Sequence, residues 1–209
     1  MDIIKALNWR YATKSFDDDK IITVDKLNII LEAFNLTATS YGLQPIKLLV
    51  ISDKELQNNL VEHSMGQKQV AQASHLLVIC TEITIDSVYI ENYFELVKSI
   101  RKTPDEILNP FKNFLISDFE NKSSLEINEW STKQAYIALG NLLTICSIER
   151  IDACPMEGFN PKMYDELLDL KSKGLQSVLV LPIGHRAEDD YMSTLNKVRK
   201  DLSDSVITI

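Results

Sequence analysis

AYIALGNLLTICSIERIDACPMEGF, residues 135–159, is the most informative segment of this chain of 209 amino acids. Its first half is apolar at nearly every position, which predicts a helix that is buried on most sides. Gly140 lies inside this helix, where glycine costs about 1 kcal/mol relative to alanine, so we expect another backbone to pack closely against it. A short strand is predicted at 151–156. The chain then leaves the predicted core at Glu157 and Gly158. The pattern of burial does not explain why an acidic residue and a glycine stand at this point.

The sequence on both sides predicts alternating helices and strands, with Thr23 as the cap of the second helix. Residues 86–120 read as helical but poorly amphipathic, with interruptions at Pro104 and Pro110. The predicted helices are 2–8, 23–34, 53–63, 125–149 and 161–170, and the predicted strands are 46–52, 74–82, 151–156, 175–186 and 206–209. This order indicates one α/β sandwich-like domain, residues 1–209, with helices on both faces of a mixed or antiparallel sheet.

The composition excludes several classes of protein. The formal net charge of −8 argues against nucleic acid or an anionic membrane as the main partner, because both require a basic surface. The three cysteines and three histidines have no metal-binding spacing, so no metal is expected. The N-terminus is charged where a signal peptide is apolar, and no apolar run is long enough to span a bilayer. We expect a soluble cytoplasmic protein with buried thiols.

Three short motifs carry the chemistry: RYATKSFD at 10–17, PMEGF at 155–159 and NKVRK at 196–200. Each alone has an ordinary explanation, namely a solvated basic turn, a strand-to-helix turn, and an exposed charged surface. Together they place cations at both ends of an acidic chain and a glycine turn at the end of a strand. No GxGxxG or GxxxxGK[ST] motif is present, so any nucleotide must be bound in another way.

Six segments resemble, in this order and spacing, the FMN-dependent nitroreductase family. They are RYATKSFD, SYGLQP, QASHLLV, STKQAYIALGNLL, IDACPMEGF and LPIGHRAEDD followed by KVRK. The similarity is greatest to the oxygen-insensitive NAD(P)H nitroreductases and their dihydropteridine-reductase-like relatives. It implies an intertwined homodimer in which C-terminal strands are exchanged and two FMN molecules lie at the interface.

The resemblance also implies the roles of individual residues. Arg10, Lys197 and Arg199 hold the FMN phosphate, in agreement with the bidentate grip of arginine on phosphate. Lys14 approaches the N1/O2 edge of the flavin, where a cation stabilises the charge gained on reduction. The other implied cofactor contacts are Tyr11 and Ala12 at the ribityl chain, Thr39 and Ser40 from the partner chain, Gln67 and Gln69 in the loop beside the ring, Pro155 and Met156 along the ring face, and the backbone of Glu157 and Gly158 near N5 and O4.

The resemblance thus gives Glu157 and Gly158 a function, since a bare backbone there offers N–H groups to a flavin without filling the space of a hydride donor. Catalysis is expected from FMN itself, with Lys14, Glu157 and Gly158 adjusting its properties. Cys154 is interpreted as a small packed residue.

Two loops depart from the common family pattern. Gly66 or Gln67 stands where an asparagine is common, and Gln69 stands where a lysine is common, so the flavin edge has one cation fewer. Gly42 replaces a common asparagine, and Tyr41, which the resemblance makes a substrate contact, replaces a smaller residue.

We therefore expect a flavoenzyme that transfers two electrons from NAD(P)H through FMN to a small-molecule acceptor, namely a nitroaromatic, a quinone or a similar compound. Both substrates would use one cleft in turn, which gives ping-pong kinetics. The alternatives are a dedicated ene- or pteridine reductase of the same superfamily and a non-enzymatic flavin-binding protein.

Overall fold

The computed structural model describes residues 2–209, so that Met1, the first residue of the predicted domain 1–209, lies outside the described residues. The helices are α1 (Ile3–Trp9), α2 (Val24–Asn35), α3 (Lys54–Leu60), α4 (Gln69–Gln72), α5 (Ser87–Arg101), α6 (Asp105–Glu120), α7 (Ser124–Ile148), α8 (Pro161–Leu167) and α9 (Leu202–Ser205). The strands are β1 (Ile46–Ile51), β2 (His75–Glu82), β3 (Asp152–Ala153) and β4 (Leu175–Gly184). The predicted helices at 2–8, 23–34, 53–63, 125–149 and 161–170 and the strands at 46–52, 74–82 and 175–186 are confirmed, with shifts at their ends. The strand predicted at 151–156 is shorter, Asp152–Ala153, and Met156 forms only an isolated bridge.

The four strands form one antiparallel sheet in the order β1-β2-β4-β3. β2 is buried at almost every position because it lies between β1 and β4 and is covered on both faces. Its side chains alternate between two cores, as the strand period of two requires. Leu76 and Val78 pack towards α3 and α8, whereas Leu77 and Ile79 pack towards α2 and α7. The resulting architecture is an α/β sandwich.

Helix α7 is the longest element and begins with a capping box, in which Ser123 and Glu126 satisfy each other's backbone N–H groups. One of its faces is buried against the sheet, through Ala135, Ala138 and Leu142 among others. The opposite face is exposed in the single chain, contrary to the expectation of burial on most sides. Apart from the neighbouring residues and backbone of its own helix, no atom of residues 2–209 lies within 4 Å of a Cβ built on Gly140. The close packing predicted there is therefore not made within the described part of the chain.

The 86–120 region differs from the prediction in two ways. Pro110 does not interrupt a helix, since α6 continues through it. Of the two prolines, only Pro104 lies at a break, in the short connection between the end of α5 at Arg101 and the start of α6 at Asp105. Pro110 lies on the exposed side of α6, where the lost N–H and the ring are tolerated more easily than in the core. Both helices are also amphipathic, with buried aliphatic and aromatic residues four positions apart. Exposed apolar residues on the other faces obscured this spacing; the buried pairs are Ile90 with Phe94 and Leu115 with Phe119.

The C-terminal segment is not a strand in the single chain. Residues 202–205 form α9, and 206–209 have no regular structure and are exposed. A strand must pair with another strand, and this segment pairs with none in the described chain, although β1 is an edge strand of the sheet. Across residues 2–209 the structure contains no helix that combines the length and the apolar character needed to cross a membrane.

Candidate functional site

The segment after α1 lies along the end of the sheet. Ala12 forms an isolated bridge with Ala153 of β3, and the Thr13 N–H donates to the Ala153 carbonyl over 3.3 Å. Further along, the Asp17 N–H donates to the His185 carbonyl over 2.8 Å. These bonds place residues 10–17 beside both the end of β4 and the 154–158 turn.

A basic cleft of about 570 Å³ opens between this segment and residues 192–199. Arg10, Lys197 and Arg199 all line it, and the Lys197 ammonium donates to the Arg10 carbonyl. The structure therefore brings Arg10 together with two cations that lie almost 190 positions later in the sequence. Tyr11 and Ala12 line the same cleft.

The three cations repel one another. Partial burial lowers the pKa of Arg10, and the charge of Arg199 lowers it further. The pKa of Lys197 is lowered by partial burial and then by Arg10 and Arg199. None of the three forms an ion pair with a carboxylate of residues 2–209. The cleft is therefore suited to a small anion.

The hydroxyl of Tyr11 is buried at the wall of this cleft without a hydrogen-bond partner in the described chain. Burial raises the pKa of Tyr11 to about 12. Asp190 is close enough to affect the hydroxyl electrostatically, although the two groups are not in hydrogen-bond geometry. The Tyr11 ring packs on the Arg186 guanidinium at 4.5 Å, and Arg186 is itself paired with Asp152 at 2.6 Å. The hydroxyl is thus an unused donor held in a fixed position.

Asp190 ties the two sides of the cleft together. Its carboxylate is almost fully buried and accepts from the N–H groups of Lys14 at 2.8 Å and Ser15 at 3.3 Å. It also accepts from the Met192 N–H at 3.0 Å. One carboxylate therefore fixes the segment that carries Lys14 against the one that leads to Lys197.

A row of polar side chains extends from the cleft beneath the 154–158 turn. The Lys14 ammonium lies 3.8 Å from the Cys154 sulfur, and the Gln69 amide nitrogen lies 3.9 Å from the same atom. Gln69 donates to the Gln67 side-chain oxygen at 2.9 Å, and Gln67 donates to the Gly158 carbonyl at 3.0 Å. Burial raises the pKa of the Cys154 thiol, in keeping with its interpretation as a packed residue. Both glutamines of the 66–69 loop therefore point towards the turn, whereas Gly66 is exposed.

The turn itself presents two free backbone donors. Met156 is bound to Val180 by both of its backbone groups, and the Glu157 carbonyl accepts from the Phe159 N–H at 3.0 Å. The N–H groups of Glu157 and Gly158 have no acceptor within residues 2–209. Pro155 is half-buried beside them, and Met156 is buried. This arrangement leaves a pair of adjacent donors available to a ligand.

The Glu157 carboxylate is held by the Tyr136 hydroxyl of α7, which donates to it over 2.6 Å. This bond, together with some desolvation, raises the pKa of Tyr136. Neither residue takes part in the packed core.

Thr39, Ser40 and Tyr41 lie elsewhere. The Ser40 N–H donates to the Gln134 side chain at 2.8 Å, and Gln134 is two positions from Tyr136 on α7. Two positions correspond to about 200° around a helix, so the 39–41 segment and the 155–158 turn contact opposite faces of α7. Within residues 2–209 no hydrogen bond joins the two segments. The structure therefore does not bring Thr39, Ser40 and Tyr41 to the site in one chain.

Tyr41 and Gly42 occupy the left-handed region of backbone conformation, which is unfavourable for tyrosine and readily adopted by glycine. Both have positive φ, at 58° and 74°. The Tyr41 ring stacks near Trp130 at 6.3 Å and meets Phe111 edge-on at 6.3 Å. A Cβ built on Gly42 would lie 2.4 Å from the Tyr93 hydroxyl, so this glycine is required both by its backbone angle and by the space available.

Two contributors to the site were missed in the sequence. Asp190 lies in a run of acidic residues typical of an exposed surface, and Tyr136 lies in an apolar helix. No local pattern distinguished either residue, because the bonds of Asp190 to Lys14 and Ser15 and of Tyr136 to Glu157 join segments distant in the sequence.

Residues 7–185 match the model of the Nitroreductase family. A protein of Staphylococcus haemolyticus, provisionally named a NAD(P)H nitroreductase, is 32% identical over 212 residues, which cover 98% of this chain and 95% of the relative.

Solved structures share the fold. A provisionally named nitroreductase of Bacillus subtilis superposes with a TM-score of 0.88 at 18% identity, covering 100% of this chain and 99% of its own. A provisionally named nitroreductase of Exiguobacterium sibiricum, solved in complex with FMN, gives a TM-score of 0.85 at 18% identity, covering 100% and 98%. The family match over most of the sequence and the extended identity to the staphylococcal relative agree: this chain belongs to the nitroreductase family.

Proposed function

We propose that the protein is an FMN-dependent oxidoreductase that takes electrons from NAD(P)H and passes them to a small-molecule acceptor. The observation that carries this proposal is the juxtaposition of two features: a cleft with three unpaired cations, and a turn with two unpaired N–H groups. An elongated ligand with an anionic end and a polar aromatic end fits both. The FMN-bound relative and the names of the curated relatives support the choice of cofactor and donor.

The residues fit FMN at each part of the molecule. Arg10, Lys197 and Arg199 hold its phosphate, since three cations without a carboxylate partner are stabilised by a dianion. Tyr11 and Ala12, which line the cleft, would lie beside the chain between phosphate and ring.

The turn and the polar row would hold the ring. By the family resemblance, Lys14 and Gln69 would lie towards its N1/O2 edge, Pro155 and Met156 along one face, and the N–H groups of Glu157 and Gly158 would bind near N5 and O4. Thr39, Ser40 and Tyr41 would reach the site from a second copy of the chain, as the family resemblance implies. This proposal is consistent with their position in their own chain, where α7 lies between them and the turn.

When bound, FMN accepts two electrons as a hydride equivalent from NAD(P)H and transfers them to the acceptor. The protein orients the ring and supplies positive charge beside it. With no separate nucleotide motif in the sequence, donor and acceptor occupy the same cleft in turn, and the kinetics are ping-pong. We propose nitroaromatic or quinone acceptors.

The test is to purify the protein with FMN and to add NADH or NADPH under argon. One FMN per chain and bleaching of the flavin absorbance are expected, followed by parallel double-reciprocal plots with nitroaromatic and quinone acceptors. Failure to bind FMN overturns the proposal. Binding without reduction indicates a flavin-binding protein, and a marked preference for enones or pteridines indicates a dedicated reductase of that class.

Gln69→Lys should raise the midpoint potential of bound FMN by about 20–90 mV. Gln69 is buried and points towards the same thiol as Lys14, so a lysine there places a second cation beside the edge that gains negative charge. Such a charge is worth about 1–4 kcal/mol, and about 1.4 kcal/mol corresponds to 30 mV for a two-electron couple. The measurement is a dye-coupled redox titration.

The matched control for this prediction is Lys68→Gln, which changes the charge of the adjacent exposed residue and should leave the potential unchanged. Lys14→Gln should lower it. A potential for Gln69→Lys that equals or falls below the wild-type value places residue 69 away from the ring.

We also propose that the protein is a homodimer in which the segment 206–209 pairs with the sheet of the partner. β1 is an edge strand, and an apolar groove of about 550 Å³ runs beside it between α2 and α5. Ile207 and Ile209 are fully exposed in the single chain, and so are apolar residues of α1 and α7. Adding a strand at β1 would satisfy the backbone groups of both segments.

Deletion of residues 206–209 should convert the dimer into monomer or unfolded chain at micromolar concentration, as measured by sedimentation velocity. Lys200→Ala, at an exposed position outside the deleted segment, serves as the control and should remain dimeric. A folded, FMN-loaded monomer of the full chain would contradict the dimer.

A further inference from the structure

We propose that Tyr136 and Gln67 are positioning residues that clamp the 157–158 turn from two sides, so that its two free N–H groups stay aligned. The effect of this clamp on catalysis rests on the proposed function. The clamp itself involves only residues of this chain.

The contacts of the turn leave few free groups. Met156 before it is fixed to β4 through Val180, and the Glu157 carbonyl is occupied by the Phe159 N–H. The Gly158 carbonyl is occupied by Gln67. The Glu157 carboxylate is occupied by Tyr136. Of the backbone groups of the two turn residues, only the two N–H groups remain without partners in the described chain.

The two clamping side chains come from separate elements. Tyr136 belongs to α7, whose position is set by the core, and its hydroxyl is 2.6 Å from the Glu157 carboxylate. Gln67 belongs to the loop before α4 and is itself held by Gln69 at 2.9 Å. A Cβ built on Gly158 would lie 3.2 Å from the Gln67 amide nitrogen and 3.3 Å from the Met65 sulfur. The loop therefore packs directly against the glycine, and the helix holds the glutamate before it.

A peptide turn held at only one end can rotate its N–H vectors, and a hydrogen bond weakens steeply when its angle is lost. Two side-chain bonds at successive residues restrict that rotation from both directions. The proposed role of Glu157 in binding the ring involves only its backbone and does not explain its carboxylate. The clamp gives the carboxylate a function, because it is the group through which Tyr136 of α7 holds the turn.

The test uses the variants Tyr136→Phe, Glu157→Ala, Glu157→Gln and the double variant Tyr136→Phe/Glu157→Ala. Tyr136→Phe keeps the ring and removes only the donor. Glu157→Gln keeps an acceptor for the Tyr136 hydroxyl. Tyr191→Phe removes an exposed hydroxyl that has no hydrogen bond in the described chain and is the matched control.

The first measurement is ¹⁵N relaxation of the flavin-free protein at residues 157 and 158. The N–H groups of both residues should become more mobile in Tyr136→Phe and Glu157→Ala, and remain as in wild type in Glu157→Gln and Tyr191→Phe. Gln67→Ala should mobilise Gly158 more than Glu157. Unchanged relaxation in Tyr136→Phe overturns the clamp.

The second measurement is the rate of FMN reduction by NAD(P)H in stopped flow. Tyr136→Phe and Glu157→Ala should each slow it about fivefold, and the double variant should be no slower than either, because both remove the same bond. If the double variant slows FMN reduction by the product of the two single effects, the two side chains act independently and the assignment is overturned. If the wild-type protein takes up no FMN, the proposed function fails while the relaxation experiment still decides the clamp.

Discussion

Arg199→Ala should weaken FMN binding about 10- to 150-fold, which corresponds to about 1.5–3 kcal/mol, the scale of a charge-assisted hydrogen bond. The same change should leave the flavin-free protein at least as stable as wild type. Arg199 contributes to lowering the pKa of both Arg10 and Lys197, so its charge is unfavourable until an anion is bound. Weaker FMN binding without any loss of stability in the flavin-free protein distinguishes a ligand-binding cation from a structural one.

The measurements are fluorescence titration of FMN and urea unfolding of the flavin-free protein. Lys200→Ala is the control, since it removes an exposed positive charge one position away, outside the residues that line the cleft. An FMN dissociation constant for Arg199→Ala within twofold of wild type would remove the phosphate assignment. Lower stability of the flavin-free variant would show that Arg199 serves the fold instead.

Asp190→Ala should destabilise the flavin-free protein by about 3–5 kcal/mol. Asp190 is 2% exposed, and its carboxylate accepts hydrogen bonds from the N–H groups of Lys14, Ser15 and Met192. Each donor left without an acceptor costs about 1–3 kcal/mol when it is buried, less when water reaches it. Asp190→Asn should be less harmful than Asp190→Ala, because its amide oxygen can still accept from the Lys14 and Ser15 N–H groups, which share one carboxylate oxygen, while its NH2 group faces the Met192 N–H.

Urea unfolding at one protein concentration checks this prediction, since the stability of a dimer depends on concentration. Asp189→Ala is the matched control at an adjacent exposed carboxylate and should change stability by less than about 0.5 kcal/mol. A loss below about 1 kcal/mol for Asp190→Ala would mean that the cleft does not depend on this carboxylate.

The sequence predicted those parts of the fold in which the local pattern reflects burial. α7 and β4 were found almost to the residue, because a long apolar run has few alternatives to a buried helix or strand. The α5–α6 region was misinterpreted because exposed apolar residues such as Ile100 and Phe114 mask the buried spacing. The segment 206–209 has strand-like residues but pairs with no strand of its own chain, and whether a strand finds a pairing partner cannot be predicted from local sequence.

The candidate site was predictable only where a motif carried it. The resemblance named Arg10, Lys14, Lys197 and Arg199, and the structure shows that the cations at the two chain ends do meet. The side chains that hold the site could not be found in this way. Asp190 and Lys14 are 176 positions apart and Gln67 and Gly158 are 91 apart, so their pairing follows from the topology of the sheet and from no local pattern.

The tight contact between Gly42 and Tyr93 couples a position in the turn to a position in α5. A Cβ at position 42 would lie 2.4 Å from the Tyr93 hydroxyl, so a residue other than glycine requires that this side chain move or be shortened. It would also have to adopt a φ of 74°, a backbone angle that favours glycine. We therefore expect the effects of substitutions at positions 42 and 93 on stability to be non-additive.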